Sequence, residues 1–177
     1  MTSTPLVFDA PCLSHFARAE RLDVLRDLMV GTPCLTTEIV REEIRSGLPD
    51  HPLLRNVLDA DWLGIVTLSS REALDGFVKW TRRIGSTQRD RGEASVFSAA
   101  ELDGGIAITD DQRAKIVAAA HGLEVHGTLW LLAVACQKGK LTEVSAGNIV
   151  DALIATEMRL PCSGSAFGEF ARRHGLL

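Results

Sequence analysis

Gly105-Ile106-Ala107-Ile108-Thr109-Asp110-Asp111 is the stretch on which the fold turns. Three apolar residues run together without polar interruption and stop at a threonine and two acids. A short apolar run of this kind fits a strand buried on both faces. The two aspartates are suited to cap a following helix, which ends at His121-Gly122. Strand, acid and helix in that order make half of a βαβ unit, and the same order recurs on either side.

Upstream, Leu6-Val7-Phe8 closes at Asp9 and reads as a buried first strand. Leu22, Leu25, Leu28 and Met29 recur at helical spacing, and Gly31 ends that helix. Cys34-Leu35 is a brief second strand, with Thr36-Thr37 capping a helix that carries Ile39, Val40 and Ile44. Gly47-Leu48-Pro49-Asp50 breaks the chain before a short helix over 51–58. Gly64-Ile65-Val66-Thr67-Leu68 is a third strand, and Ser69-Ser70-Arg71-Glu72 offers a capping box for a helix carrying Leu74, Phe77, Val78 and Trp80. A helix over 89–102 places Ala94, Phe97 and Ala100 inward. Downstream, Leu123-Glu124-Val125 is a last short strand, and Thr128 is read as the cap of an apolar helix that stops near Gly139. Residues 145–159 are helical, Pro161 breaks them, and 166–177 form one more short helix.

Strands separated by helices require a parallel sheet covered on both faces, so the fold class is α/β in three layers. No repeat, low-complexity stretch or linker divides the 177 residues, which read as one domain with a core over about 6–160 and a helical extension over 161–177. At 46% hydrophobic and 24% charged the composition is that of a globular protein rather than a disordered one. Its apolar runs are too short to span a membrane, and the N-terminus shows no secretory pattern, so a cytoplasmic location is expected. The four cysteines lack CxxC spacing and the five histidines form no HxH or HExxH pattern, which gives zinc or haem little support. A net charge of −4 argues against coating nucleic acid by charge alone, while leaving room for an enzyme that holds a few phosphates locally.

In parallel α/β sheets the functional crevice lies beyond the carboxyl ends of the strands. Asp9 ends the first strand there, and Asp110-Asp111 end the strand Ile106–Thr109. Glu43 and Glu93 ride on helices facing the same edge. Gathering four carboxylates is costly through repulsion and desolvation, and it makes sense when hard divalent cations such as Mg²⁺ or Mn²⁺ take oxygen ligands there. Each acid also has a plainer reading. Asp110 or Asp111 also reads as a helix cap, Glu93 as a complement to a helix dipole, and Glu42 or Glu43 as part of a solvated face. Asp9 is hardest to assign to structure alone, because it closes an apolar strand inside a core.

These segments together resemble the PIN-domain family, in particular its branch of VapC-type toxins from bacterial toxin–antitoxin pairs. The resemblance rests on Val7-Phe8-Asp9-Ala10-Pro11 with Leu13 and Leu22-Asp23-Val24-Leu25, and on Thr36-Thr37 through Val40 and Glu43-Ile44. Arg91-Gly92-Glu93-Ala94-Ser95, Ile108-Thr109-Asp110-Asp111-Gln112-Arg113-Ala114, and His126-Gly127-Thr128-Leu129 followed by Lys138-Gly139 complete it. It covers most of the chain and implies a PIN-like α/β/α domain acting as a metal-dependent endoribonuclease, the toxin of such a pair. Carried over by position, it implies Asp9, Glu43, Glu93 and Asp111 as the acidic catalytic set. Asp9, Glu93 and Asp111 would meet the Mg²⁺ or Mn²⁺, with Asp110 the alternative to Asp111 and Thr109 available to bond within the cluster. Glu93 stands where many members of that branch carry aspartate. A small antitoxin and a second copy of the chain are the protein partners implied.

The stretch from Lys79 to Arg91 is basic, and Arg89, Arg91 and Arg113 are candidates for phosphate contacts. A solvated helix face accounts for them equally well. Trp62, Trp80 and Trp130 could stack on bases, although Trp80 sits at core spacing and Trp130 could face a dimer partner. An aspartyl-phosphate mechanism at Asp9 would want a second aspartate where Pro11 stands, and no P-loop is present. The competing reading is a PIN-like scaffold that binds RNA or protein without cutting it.

Overall fold

The computed structural model describes residues 3–85 and 87–177, and the side chains of all of these except Gln88 and Arg89. The chain runs β1 (Leu6–Phe8), α1 (Ala10–Arg18), α2 (Leu22–Leu28), β2 (Cys34–Thr37) and α3 (Glu38–Ser46). A 3-10 turn leads into α4 (Arg55–Leu58), β3 (Leu63–Val66), α5 (Arg71–Ile84), α6 (Gln88–Asp103) and β4 (Ile106–Ile108). It closes with α7 (Gln112–Ala120), β5 (Val125–His126), α8 (Thr128–Gln137), α9 (Glu143–Ile154) and α10 (Phe167–Arg173).

The five strands form one sheet in the order β3-β2-β1-β4-β5, and every pairing is parallel. β1 lies at its centre, with Phe8 opposite Ile108 and Val7 opposite Leu35 and Ala107. All three β1 side chains are buried, as a strand covered on both faces requires. The chain builds outward from β1 through β2 to β3, then crosses back to lay β4 and β5 on the other side. That reversal sets the topological switch point between β1 and β4, where α/β sheets open their crevice.

Helix α6 packs along β1, β2 and β4, with α3 and α5 against it. The α5–α6 contact is close because Gly76 leaves space that a Cβ would fill at 2.7 Å from Ser98 Oγ, and Ser98 donates to the Ala73 carbonyl at 2.9 Å. Trp80 from α5 is fully buried and meets Phe97 of α6 edge-on, with ring centroids 5.3 Å apart. Across the sheet, α8 sets Leu131, Val134 and Ala135 around a cavity of about 230 Å³ beside Leu6 and Ile106. α8 packs in turn on α9, and α10 closes over both with Phe167 and Ala171 buried. The expected three-layer α/β/α architecture is the one observed.

Several boundaries differ from the sequence expectation: β2 runs on to Thr37 instead of ending at Leu35, β4 stops at Ile108, and the last helix covers 167–173 rather than 166–177. No helix is expected directly after Asp9, yet α1 starts there with Pro11 in its first turn, a place where proline's missing N–H costs no hydrogen bond. β3 covers 63–66 rather than 64–68, and β5 falls at 125–126 rather than 123–125. α9 ends at Ile154 instead of continuing to residue 159. Thr156 there donates its hydroxyl to the Leu153 carbonyl at 2.6 Å, and Glu157 turns left-handed at φ 68°.

Phe8 has no exposed surface and sits where both layers meet the central strand. Phe8→Ala is expected to destabilise the fold by about 3–5 kcal/mol, measured by urea denaturation.

Candidate active site at the carboxyl edge of the sheet

Asp9 follows β1 directly and caps α1, with Oδ1 accepting from the Cys12 backbone N–H at 2.8 Å. Its own N–H donates to the Ile108 carbonyl at 3.1 Å, which fastens the residue to the end of β4. The side chain is only 1% exposed, and Oδ2 is buried without a well-aligned donor. Burial pushes its pKa up to about 8, against the Thr109 hydroxyl and the Cys12 N–H, and neighbouring Asp110 and Glu93 push the same way.

Asp110 is held quite differently. Its Oδ1 accepts from the Thr128 N–H at 2.9 Å and its Oδ2 from the Thr128 hydroxyl at 2.6 Å. The carboxylate lies against Gly127, where a Cβ would come within 2.4 Å of Oδ1 (hence a glycine in the turn before α8). Burial raises its pKa, and the Thr128 hydrogen bonds oppose the rise. Asp111 instead caps α7, accepting from Ala114 N–H at 2.8 Å, while its own N–H donates to Thr109 Oγ1 at 3.2 Å. The structure therefore gives the electrostatic partnership with Asp9 to Asp110 and the capping role to Asp111. Thr128 was expected to cap α8, but that position belongs to Gly127, and the Thr128 side chain serves Asp110.

Glu43 of α3 and Glu93 of α6 come to the same edge by another route. Thr37 ends β2 and caps α3 through Val40 N–H at 3.2 Å. Its hydroxyl lies 2.6 Å from Ser95 Oγ, which donates to the Gly92 carbonyl at 2.6 Å. The Ser95 proton is thus committed to Gly92, so Thr37 donates to Ser95 and ties the start of α3 to α6. At Gly92 a Cβ would stand 2.5 Å from Glu43 Oε1, so the glycine admits the Glu43 carboxylate against α6. Asp9, Glu43 and Glu93 line one crevice of about 270 Å³, together with Pro11, Ser14 and His15 of α1.

Arg91 is exposed beside Gly92, and the Arg89 side chain lies outside the described residues. Arg113 does not line the crevice: its guanidinium donates to the Ile84 carbonyl and pins the turn at Gly85 between α5 and α6. Of the tryptophans, Trp80 is core, and Trp130 is half-buried and stacked on His126 at 4.1 Å. Sequence reasoning missed Thr37 as a link to α6, Ser95, and His15. Ser95 stands out in the sequence only within Arg91–Ser95, and His15 lies on α1, a helix that carries no clear signal in the sequence.

A family model described as a PIN domain matches residues 5–166. The chain belongs to the PIN-domain family. PIN domains are generally nucleases and generally use divalent metals, which points to nuclease activity for this one in general terms. No curated protein matches its sequence. Among the described residues no helix is long and apolar enough to cross a membrane.

The donors at the edge suit a hard cation, being carboxylate oxygens with one buried oxygen of Asp9 lacking a donor. Among the described residues no three metal-binding side chains converge into a ready-made cage.

Asp9 carries a folded-state pKa of about 8 against an ordinary 3.8. The folded protein therefore holds one proton more than the unfolded chain between those values. The stability this contributes is complete below about pH 4 and is lost as pH rises through about 8. In EDTA, urea titrations are expected to show Asp9→Asn gaining on the parent protein steadily from pH 4 to pH 8, by a few kcal/mol at the upper end. A constant gap across that range would contradict the burial argument.

Proposed function

We propose that this PIN domain is a metal-dependent endoribonuclease that hydrolyses RNA phosphodiester bonds, and that it serves as the toxin of a toxin–antitoxin pair. The observation carrying the reading is Asp9, a buried carboxylate at the switch point whose Oδ2 has no donor, lining a crevice with Glu43 and Glu93 and coupled to Asp110. A buried carboxylate of this kind is expensive unless it takes up a proton or a cation occupies its neighbourhood, and a cation can displace that proton.

In this reading Asp9 and Glu93 would hold the Mg²⁺ or Mn²⁺, with Asp110 braced beside Asp9. The ion would supply charge neutralisation at the phosphoryl oxygen and lower the pKa of a bound water. Glu43, set against Gly92, orients the attacking water. Asp110, satisfied on both oxygens by Thr128, is braced beside Asp9 and kept from drifting into the crevice. Arg91, exposed one residue from Gly92, is placed to meet a flanking phosphate, and Arg89 is assigned the same role from its position in the sequence. Arg113 is assigned to hold the α5–α6 turn that presents them.

Protein partners are supported by an apolar group that the chain leaves uncovered. Leu74 and Val78 on α5 and Leu102 on α6 are each more than 40% exposed. Such a group suits a second copy of the chain or an amphipathic antitoxin segment, and a cytoplasmic setting accords with an RNA substrate.

The test is cleavage of a mixed RNA pool in Mg²⁺, Mn²⁺ or EDTA. Asp9→Asn and Asp110→Asn are expected to lower kcat at least a hundredfold, whereas Asp111→Asn keeps the α7 cap and most of the activity. RNA binding with no cleavage under any metal would replace the enzyme reading by the scaffold reading. Gly92→Ala supplies a second check. Its Cβ displaces the flexible Glu43 carboxylate and improves helix propensity, so stability should hold within about 1 kcal/mol while cleavage falls.

A further inference from the structure

His15 lies on the same face of α1 as Pro11 and Ser14, and it lines the crevice together with Asp9, Glu43 and Glu93. From Asp9 to His15 the helix rises roughly 9 Å, so the imidazole stands at the rim beside the carboxylates. Behind it, His15 Nδ1 lies 2.8 Å from Thr156 Oγ1, in the turn that ends α9. The Thr156 hydroxyl has one proton, and that proton goes to the Leu153 carbonyl at 2.6 Å. Thr156 must therefore accept from His15, which fixes the proton on Nδ1. In the neutral ring Nε2 then carries the lone pair, and it has no hydrogen-bond partner among the described residues.

Burial, more than the charges around the ring, favours its neutral form, against Glu157 and the Thr156 hydrogen bond. Burial and the Arg18 guanidinium lower its pKa, and His51 acts in the same direction. Glu157 opposes them but is turned partly toward Arg18, with Nη2 and Oε2 3.8 Å apart. A neutral imidazole with this tautomer presents an acceptor, which repels phosphate oxygens and attracts O–H or N–H groups.

We propose that His15 is a specificity-determining contact of the crevice, its Nε2 accepting a hydrogen bond from a donor on the nucleotide that flanks the scissile phosphate. The donor is a sugar 2′-hydroxyl or a base amino or imino group, and Thr156 is a positioning residue that sets the tautomer. This rests on the ribonuclease reading of the same crevice.

The test is fluorescence anisotropy of labelled oligoribonucleotides and matched oligodeoxynucleotides with the full chain in EDTA, where binding is read without cleavage. His15→Ala is expected to weaken RNA binding about tenfold, as the loss of one net hydrogen bond would. Thr156→Val, which frees the ring to carry its proton on Nε2, should lose part of the same affinity. His15→Gln restores an acceptor and should recover part of it. If the donor is the 2′-hydroxyl, the deoxy oligomer binds the parent as weakly as RNA binds His15→Ala, and it is insensitive to the substitution. If the donor is a base, His15→Ala weakens ribo and deoxy oligomers alike, and only those carrying that base. A parent that binds RNA while His15→Ala and Thr156→Val bind it equally well overturns the proposal and leaves the ribonuclease reading standing. A parent that neither binds nor cleaves RNA overturns both.

Discussion

Parallel pairing of β1 with both β2 and β4 is the constraint from which the rest of the structure follows. Because the strands all point the same way, each strand-to-helix junction delivers its side chains to one edge. Asp9, Thr37 and Asp110 arrive there from three successive strands along the sheet, none of them close to another in sequence. The same geometry sends the N-terminal ends of α1, α3, α7 and α8 to that edge. Their unpaired N–H groups and partial positive charge make it a place where carboxylates can be tolerated. The acids and the helix starts are thus one arrangement seen from two sides.

Within that arrangement the two central aspartates are treated unequally. Asp110 has both oxygens satisfied by a single residue, Thr128, through its backbone and its hydroxyl. Asp9 has Oδ1 satisfied by the Cys12 N–H and Oδ2 without a well-aligned donor, the Thr109 hydroxyl easing its burial only in part. A fully satisfied carboxylate is braced in place, while a half-satisfied one in a dry setting retains unspent affinity for a proton or a cation. Asp110 also adds to the repulsion that raises the Asp9 pKa, so bracing one acid sharpens the demand of the other.

What the sequence disclosed follows the same logic. β1 and β4 were legible because a strand covered on both faces is an uninterrupted apolar run, and the acid that ends each run stands out against it. The choice between Asp110 and Asp111 was not legible. Either can cap a helix, and only the approach of Thr128 from an element 18 residues away decides which carboxylate turns inward. α1 was hidden by Pro11, which reads as a breaker until one sees that Asp9 is the cap and the proline falls in the first turn. With the helix unread, His15 had no neighbours. The pairing of its Nδ1 with Thr156 spans 141 residues, a separation that no local pattern carries.

Glycines complete the account, because they show where the acids must lie close to backbone. Gly92 and Gly127 stand at different junctions, yet in each a Cβ would fall within about 2.5 Å of a carboxylate oxygen, of Glu43 and of Asp110 respectively. The two differ in what would give way. Glu43 ends a long flexible side chain and could swing aside with little loss of packing, so Gly92 guards the position of a functional group more than the fold. Asp110 is held by two hydrogen bonds at the start of α8, and a side chain at Gly127 would break them and leave a buried carboxylate unsatisfied. Gly127 therefore protects stability and site together. The carboxyl edge is thus shaped as much by where side chains are missing as by the acids themselves.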